Sequence, residues 1–532
     1  MKKGLKVMRI DEMTLEEKIG QMLMVGFPSP TYDDHIKELV GEYKIGNIIL
    51  FSRNVRDGEQ LKNLCMDIQK DVIKNTGIPA LISIDQEGGM VTRIYKSATY
   101  LPGNMAIAAT DNPENAYKIG GIAGKELRAL GININFAPVL DVNNNPLNPV
   151  IGVRSYGENP EKVAEFGVNY IKGLQKERVI ATAKHFPGHG DTSVDSHLDL
   201  PLVEHDRDRL YKVELYPFKK AIENGVDAIM TAHILFTAFE ENRLPATLSY
   251  NILTNILRKE FDFDGIIVTD CMEMNAIAKY FGTAKAAAMA VKAGADIVLV
   301  SHTKRLQIEA FNEIKEAVLR GEIPIERINE SVERIIKLKE KYNLFKNPYP
   351  DENKIRTVVG SEEHREVARN ISLNSITVVK DENKLLPVKA QKILAISPET
   401  VPISGVDDVL MEKLSFAKEF VKRFGGEEKT IPVNPDEELI AHLKKEAENK
   451  ELVVIGTYNA SLNEGQAQLV NSLQKINKNI IVVALRNPYD LLKFKEVSTY
   501  LCTYEYTPLA LESVLDVLSG NYVSQGKLPV SL

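Results

Sequence analysis

The sequence contains no tryptophan and only three cysteines, Cys65, Cys271 and Cys502, in 532 residues. An odd number of widely separated cysteines argues against a disulfide framework and a thiolate metal site, and it favours a reducing compartment. No segment has the roughly 18 uninterrupted apolar residues that a membrane helix needs, and no apolar run follows the basic start MKKGLKVMRI as it would in a signal peptide. We therefore expect a cytoplasmic protein that does not enter a membrane.

The sequence also lacks long blocks of one charge. Its 66 Lys and Arg residues against 73 Asp and Glu residues give a net charge of −7. This balance argues against nucleic acid or an anionic membrane as the main partner. The length exceeds that of a usual single domain, so we expect more than one.

Short apolar runs rich in β-branched residues alternate with amphipathic stretches, which is typical of βα units around a buried parallel sheet. Eight runs occur in the first 300 residues: QMLMVGF from Gln21, IGNIILF from Ile45, PALISID from Pro79, INFAPVLDV from Ile134, VIATAKHF from Val179, DAIMTAH from Asp227, GIIVTD from Gly265 and ADIVLVS from Ala295. The predicted helices between them include residues 58–74, 113–129, 160–176, 207–224 and 283–292. Eight such units predict a (β/α)₈ TIM barrel. The alternative, an open doubly wound sheet, lacks its GxGxxG turn after the first run.

A helical pattern over residues 324–342 closes this unit, and KNPYPDENK then concentrates proline, asparagine and charge. Further apolar runs begin at Lys392, Glu451, Asn479 and Thr499. We predict a barrel catalytic domain over residues 1–345, a linker over 346–373 and a smaller C-terminal α/β domain of the sandwich type over 374–532.

Polar side chains follow five of the predicted barrel strands. They are Asp85, Asp141, Lys184 with His185, His233 and Asp270. Any one of the carboxylates has a structural explanation as a helix cap, and a lone arginine such as Arg154 has one as an ion-pair partner. The C-terminal ends of barrel strands meet at one mouth, however, so the set as a whole favours a shared active site.

The loop KHFPGHGDTSVDSH, residues 184–197, is the densest of these polar segments. Its histidines, His185, His189 and His197, are spaced by 4 and 8 residues on a loop broken by glycine and proline, without an HExxH helix. We therefore predict that these three histidines do not form a metal site.

Glycoside cleavage fits this set of residues. Its oxocarbenium-like transition state needs a carboxylate beneath the anomeric carbon and a proton donor at the leaving oxygen. Asp270 can supply the first and His197 the second, with Asp195 close enough in sequence to orient the imidazole. An imidazole of pKa about 6.5 exchanges protons near neutral pH without the large shift that a carboxylic acid requires. The groups suited to bind sugar hydroxyls are Asp85, Arg93, Arg154, Lys184 and His185.

The chain resembles glycoside hydrolase family 3, and within it the bacterial β-N-acetylglucosaminidases (β-hexosaminidases) of peptidoglycan recycling. The matching segments are IDQEGG at 84–89 with Arg93, NPVIGVRS at 148–155, the 184–197 loop, IVTD at 267–270, and NSITVVKDENKLLPV and QGKLPVSL in the second domain. The resemblance implies a retaining exo-β-N-acetylglucosaminidase that acts on terminal β-linked N-acetylglucosamine of peptidoglycan-derived muropeptides, without metal or organic cofactor.

The resemblance also implies residue roles. Asp270 matches the nucleophile that forms a covalent glycosyl-enzyme, and His197 with Asp195 matches a His-Asp acid/base dyad. The residues matched to substrate binding are Asp85, Arg93, Arg154, Lys184 and His185. With the dyad in the barrel, we expect no direct catalytic part for the second domain.

Two alternatives remain open. One is another retaining activity of the family, β-glucosidase-like or phosphorolytic, because a neutral imidazole repels an incoming phosphate less than a carboxylate does. The other is a non-catalytic sugar-binding protein, although such a protein needs neither a nucleophile nor a proton shuttle. The partner that we expect is a small carbohydrate; the sequence defines neither the aglycone nor the oligomeric state.

Overall fold

The computed structural model describes residues 9–193, 195–350, 354–399 and 413–532. Eight parallel strands close a barrel in which each strand pairs with the next along the chain and the last returns to the first. They are β1 Leu23–Val25, β2 Asn47–Leu50, β3 Leu81–Ile84, β4 Ile134–Asn135, β5 Ile180–Phe186, β6 Ala228–Thr231, β7 Ile266–Cys271 and β8 Ile297–Val300. Each predicted run supplies one strand, so the predicted barrel is confirmed.

Helices surround the barrel and bury its outer face. The main ones are Leu15–Met22, Asp34–Tyr43, Gly58–Thr76, Asn104–Ala109, Glu114–Leu130, Pro160–Lys176, Arg207–Lys212, Tyr216–Glu223, Thr283–Ala293, Lys304–Leu319 and Ile325–Lys341, with a π-type helix at Asn251–Glu260. Side chains satisfy the free amides at several helix starts: Asp57 accepts from the Gln60 amide and Asn159 from the Lys162 amide. Gly77 ends the Gly58–Thr76 helix in the left-handed conformation, where glycine carries no steric penalty.

The predicted helix over residues 207–224 is wrong in one respect, because the chain leaves the helix between Lys212 and Tyr216. Pro217 opens the second helix in its first turn, where its missing amide hydrogen costs no helical bond. Glu214 lies in the break, and its side chain is buried.

The second domain is built on a six-stranded sheet. Its strands are β9 Thr377–Asp381, β10 Ile393–Pro398, β11 Glu427–Ile431, β12 Leu452–Thr457, β13 Ile480–Ala484 and β14 Thr499–Cys502. They lie in the order β9-β14-β13-β12-β10-β11, with β9 antiparallel to its neighbour and the others parallel. Its helices are Phe416–Phe424, Glu437–Ala447, Glu464–Leu473 and Pro508–Ser519. The predicted C-terminal α/β domain is confirmed, although β9 and β11 were not among its predicted strands.

The two domains share apolar packing. Met90, Met105 and Val153 extend from the barrel into the core of the second domain. Helix Glu362–Ser375, much of which lies in the predicted linker, contributes Ala368 and Ile371 to the barrel core. Part of the predicted linker is therefore a helix packed on the barrel. The exact domain limits stay predictions.

The structure bears on membrane insertion and on disulfide bonding. Among the described residues, no helix is long and apolar enough to cross a membrane. Cys65, Cys271 and Cys502 are buried and form no disulfide, as expected. The expected cytoplasmic location stays a prediction.

Candidate active site

A cavity of about 360 Å³ opens at the C-terminal ends of the barrel strands. Seven of the eight predicted site residues line it: Asp85, Arg93, Arg154, Lys184, His185, His197 and Asp270. The eighth, Asp195, lies behind one of the lining residues, His197, and is hydrogen-bonded to it. Side chains 185 residues apart in sequence thus meet in one cavity, of a size usual for small-molecule sites.

Two barrel strands pair in an irregular register at the residues that line the cavity. Between β5 and β6, Ala183 pairs with Ile229 and Phe186 with Thr231, so β5 holds one extra residue around Lys184 and His185. Between β7 and β8, Val268 pairs with Ile297 and Cys271 with Leu299, so β7 holds one extra residue at Thr269 and Asp270. Such bulges re-aim side chains next to active sites.

A buried ion cluster forms one wall of the cavity. Arg154 donates from Nε and Nη2 to the two carboxylate oxygens of Glu87 at 2.9 and 2.8 Å. Lys184 Nζ lies 2.6 Å from Glu87 Oε1 and 2.8 Å from Asp85 Oδ1. Burial alone would raise the pKa of Glu87, but the charges of Arg154 and Lys184 outweigh it and hold that pKa well below its usual range. Arg154 and Lys184 are thereby fixed in place. The Asp85 side chain is partly exposed and lines the cavity.

Asp141 fixes the first part of the 184–197 loop. Its Oδ2 lies 2.7 Å from His185 Nδ1, and its Oδ1 accepts from the backbone amides of His185 and His189 at 3.1 and 2.7 Å. Burial alone would raise the pKa of Asp141, but the neighbouring His185 has the larger, opposite effect. The pKa of Asp141 is therefore below its usual value. An ionised Asp141 requires a proton on His185 Nδ1, so in a neutral ring the other nitrogen, Nε2, is the acceptor.

His197 and Asp195, the residues of the predicted dyad, lie within hydrogen-bond distance of each other. His197 Nδ1 lies 2.8 Å from Asp195 Oδ1, which also accepts from the His197 backbone amide at 2.8 Å. The His197 side chain is 27% exposed and that of Asp195 is 8% exposed. Burial raises the pKa of Asp195, while the hydrogen bonds from His197 lower it more strongly. The ionised carboxylate orients the ring through Nδ1, so Nε2 takes no part in this hydrogen bond.

Asp270 lies at the end of β7, and its Oδ1 accepts from the Cys271 amide at 2.6 Å. Burial raises the pKa of Asp270, but the positive potential of His233, His185 and His197 outweighs this and lowers it. The carboxylate is therefore ionised at neutral pH, as a nucleophile requires. His233 Nε2 donates to the Cys271 carbonyl at 2.9 Å, so this histidine also supports the backbone beside Asp270.

Two groups of the cavity wall, Glu87 and Arg53, are not identified from the sequence patterns. In the sequence Glu87 is only one member of the segment IDQEGG, but in the structure it holds both Arg154 and Lys184. Arg53, after β2, also lines the cavity: its guanidinium lies 4.3 Å from the centre of the Phe51 ring and donates to the carbonyls of Phe27 and Ser301. The signal that could have found Arg53 is the one already used for the other strands, a polar residue just after an apolar run.

The second domain braces the loops behind the cavity. Glu505 Oε2 accepts from the Gly103 amide at 2.6 Å, and the Asn143 side chain donates to the Tyr489 hydroxyl at 3.1 Å. A Cβ atom on Gly89 would lie 2.9 Å from Glu505 Oε2, so the approach is close. The residues that line the cavity all lie between positions 49 and 302, within the barrel.

A closed parallel barrel with a carboxylate and an aspartate-bound histidine at the cavity at its C-terminal end has the arrangement that is typical of an enzyme active site. Comparison with known proteins gives the family. Residues 14–338 match the model described as the glycosyl hydrolase family 3 N-terminal domain. The chain belongs to this family, which confirms the resemblance and the expectation of a glycoside hydrolase.

Individual relatives agree with this assignment. The chain is 36% identical over 438 residues to a β-hexosaminidase A of Pseudoalteromonas piscicida, covering 75% of this chain and 73% of the relative. It is similar to the structure of a family 3 β-N-acetylglucosaminidase from Paenibacillus sp. str. FPU-7, with a TM-score of 0.91 and 42% identity over 98% of this chain and 99% of the other. A β-glucoside phosphorylase structure has a TM-score of 0.83 at 25% identity, covering 98% of this chain and 95% of that one.

Proposed function

We propose that the chain is a retaining exo-β-N-acetylglucosaminidase that removes terminal β-linked N-acetylglucosamine from peptidoglycan-derived muropeptides and disaccharides. The observation that carries the proposal is that Asp270 and the dyad of His197 and Asp195 serve one cavity. The likeness to a β-hexosaminidase and a β-N-acetylglucosaminidase supports the sugar specificity. A cavity of about 360 Å³ suits one sugar ring at a time, which favours exo-action.

In the first step, the Asp270 carboxylate attacks the anomeric carbon while His197 gives its proton to the departing glycosidic oxygen. The Asp195 carboxylate stabilises the imidazolium and keeps Nε2 toward the substrate. In the second step, neutral His197 takes a proton from water, which displaces Asp270 from the anomeric carbon. Two displacements at the same carbon leave the configuration unchanged.

The ion cluster binds the sugar. Arg154 and Lys184 present donors whose charge Glu87 neutralises, and Asp85 presents acceptors. Hydroxyl groups need both kinds of partner, so a mixed wall suits a neutral sugar better than a wall of one charge. Arg93 and His185 complete the set of proposed substrate-binding residues.

Phosphorolysis is a second candidate. Phosphate would replace water in the second step, and an imidazole base repels it less than a carboxylate base would. The likeness to a β-glucoside phosphorylase favours keeping this candidate.

One experiment separates these activities. Release of p-nitrophenol is measured from the β-N-acetylglucosaminide and from the β-glucoside, each with and without phosphate, and proton NMR records the anomer first formed. We expect preference for the N-acetyl substrate, a β-anomer product and no dependence on phosphate. Formation of a sugar 1-phosphate would select phosphorolysis, preference for the glucoside would select a β-glucosidase, and an initial α-anomer would refute the retaining mechanism.

A further inference from the structure

A second cluster of charged side chains lies outside the catalytic cavity. Asp191, His205 and Glu214 each place one potential ligand atom within 4.8 Å of the others. His205 Nε2 lies 2.5 Å from Asp191 Oδ2. None of the three lines the cavity, yet Asp191 belongs to the 184–197 loop, four residues before Asp195.

The cluster contains buried acceptors that the described residues leave unsatisfied. Glu214 has a side chain only 2% exposed, and its Oε2 has no hydrogen-bond partner. Asn144 donates to Glu214 Oε1 at 3.3 Å, while its own Oδ1 is buried without a partner. A buried carboxylate oxygen without a donor is costly, so Glu214 Oε2 points to a missing positive partner.

Arg209 meets this need only in part. Its Nη2 lies 3.2 Å from Glu214 Oε1 and 3.6 Å from Asp191 Oδ2, but it does not reach Glu214 Oε2. Its own Nε is buried without an acceptor. The side chain is 34% exposed, so the guanidinium can turn toward solvent if another cation takes its place.

We propose that Asp191, His205 and Glu214 form a divalent-metal site that Arg209 occupies in the absence of the ion. One imidazole and two carboxylates suit Zn²⁺, which binds such ligands with a water molecule in the fourth position. The metal would join the middle of the 184–197 loop, through Asp191, to the helix break that holds Glu214. Its role is to hold this loop in place, and no step of glycoside cleavage passes through it.

The test uses the full chain after chelator treatment and dialysis. Zinc binding is measured by calorimetry, and thermal unfolding is followed with and without zinc, with Mn²⁺ and Mg²⁺ as further arms. We expect one bound Zn²⁺ per chain and a higher Tm with zinc. Glu214→Gln and His205→Asn should each weaken binding about tenfold or more, since ligand removal costs at least as much as removal of an outer-shell partner. Arg209→Ala should strengthen binding, because it removes the competing charge.

The matched control is His442→Asn, which breaks another histidine–carboxylate pair, with Glu446, on the surface of the second domain; its zinc binding should equal that of the unmodified chain. Failure to bind zinc would overturn the proposal, as would binding that neither ligand variant changes. Weaker binding in Arg209→Ala would show that the cluster is an ion-pair network alone. If Glu214→Gln proves misfolded by circular dichroism, His205→Asn, at a side chain 38% exposed, decides the question.

Discussion

Arg154 and Glu87 form a two-bond ion pair in which each side chain is only 3% exposed. Each buried ion loses its hydration, so a buried charge is stable only when oppositely charged or hydrogen-bonding partners replace the water. Here Lys184 provides the second partner of Glu87. The proposed sugar-binding wall therefore depends on a residue that need not touch sugar.

Glu87→Gln tests this dependence. The variant leaves Arg154 with a neutral partner and should lose about 3–5 kcal/mol of stability, as when one partner of a buried pair is removed. We also expect a higher KM, because Arg154 and Lys184 lose their common anchor. Asp67→Asn, which breaks the exposed pair with Lys70, should cost less than about 1 kcal/mol. Urea unfolding and initial rates give both quantities; equal losses in the two variants would contradict the role given to Glu87.

Asp270→Asn should abolish turnover while the fold is kept. Without the attacking carboxylate no glycosyl-enzyme can form, so we expect kcat to fall by more than about 10³-fold. The control is Asp264→Asn, an exposed carboxylate just before β7, which should retain full activity. Circular dichroism and Tm check the fold; a variant that keeps a tenth of the rate would exclude Asp270 as nucleophile.

His197→Ala should affect substrates according to their leaving groups. General acid catalysis contributes about 10²–10⁴-fold, so a natural disaccharide should lose that much, while an activated aryl glycoside loses less. Azide should restore release of the covalent intermediate, because it attacks without a general base. Asp195→Ala should show a milder form of the same pattern, since the imidazole remains. Equal losses on both substrates without azide rescue would place the proton donor elsewhere.

Glu505 should make stability depend on pH at the junction of the two domains. Burial raises its pKa to about 7, and the hydrogen bonds from Gly103 and Thr507 only partly offset this. Because the folded pKa lies above the unfolded value near 4.3, the contribution of Glu505 to stability is present below pH 4 and is lost as pH rises to 7 and beyond.

Glu505→Gln isolates this contribution, since glutamine keeps an acceptor and does not titrate. Between pH 5 and pH 8 the unfolding free energy of the natural chain should fall relative to that of the variant by about 2–3 kcal/mol. Denaturant unfolding at several pH values measures the difference. A pH-independent difference would mean that Glu505 is ionised throughout.

The barrel could be predicted because buried parallel strands are almost continuous apolar runs. The strand β11 escaped prediction for the converse reason. Its sequence, EEKTI, forms the edge of the second sheet, where charged and exposed side chains are favoured. The sequence does not show that β11 lies at the edge of the sheet, so its polar residues did not indicate a strand.

The same limit applied to the site. Asp85 and Asp270 could be found because the ends of parallel strands converge, and His197 because it lies in a distinctive loop. The pairing of Glu87 with Arg154, or of Asp141 with His185, joins residues 67 and 44 positions apart. No local pattern predicts such pairs, and the break that buries Glu214 lies where an amphipathic pattern predicts unbroken helix.

The extra residue in β5 has a consequence for anyone who would rebuild this barrel. In a regular strand, neighbouring side chains point to opposite faces, so Lys184 and His185 could not both face the mouth. The extra residue interrupts the alternation of side chains along β5, so both Lys184 and His185 line the cavity. A barrel with regular strands could keep the same core, but one of these two side chains would then point away from the cavity. Transferring this site to another barrel therefore requires the extra residue in β5 as well as the side chains.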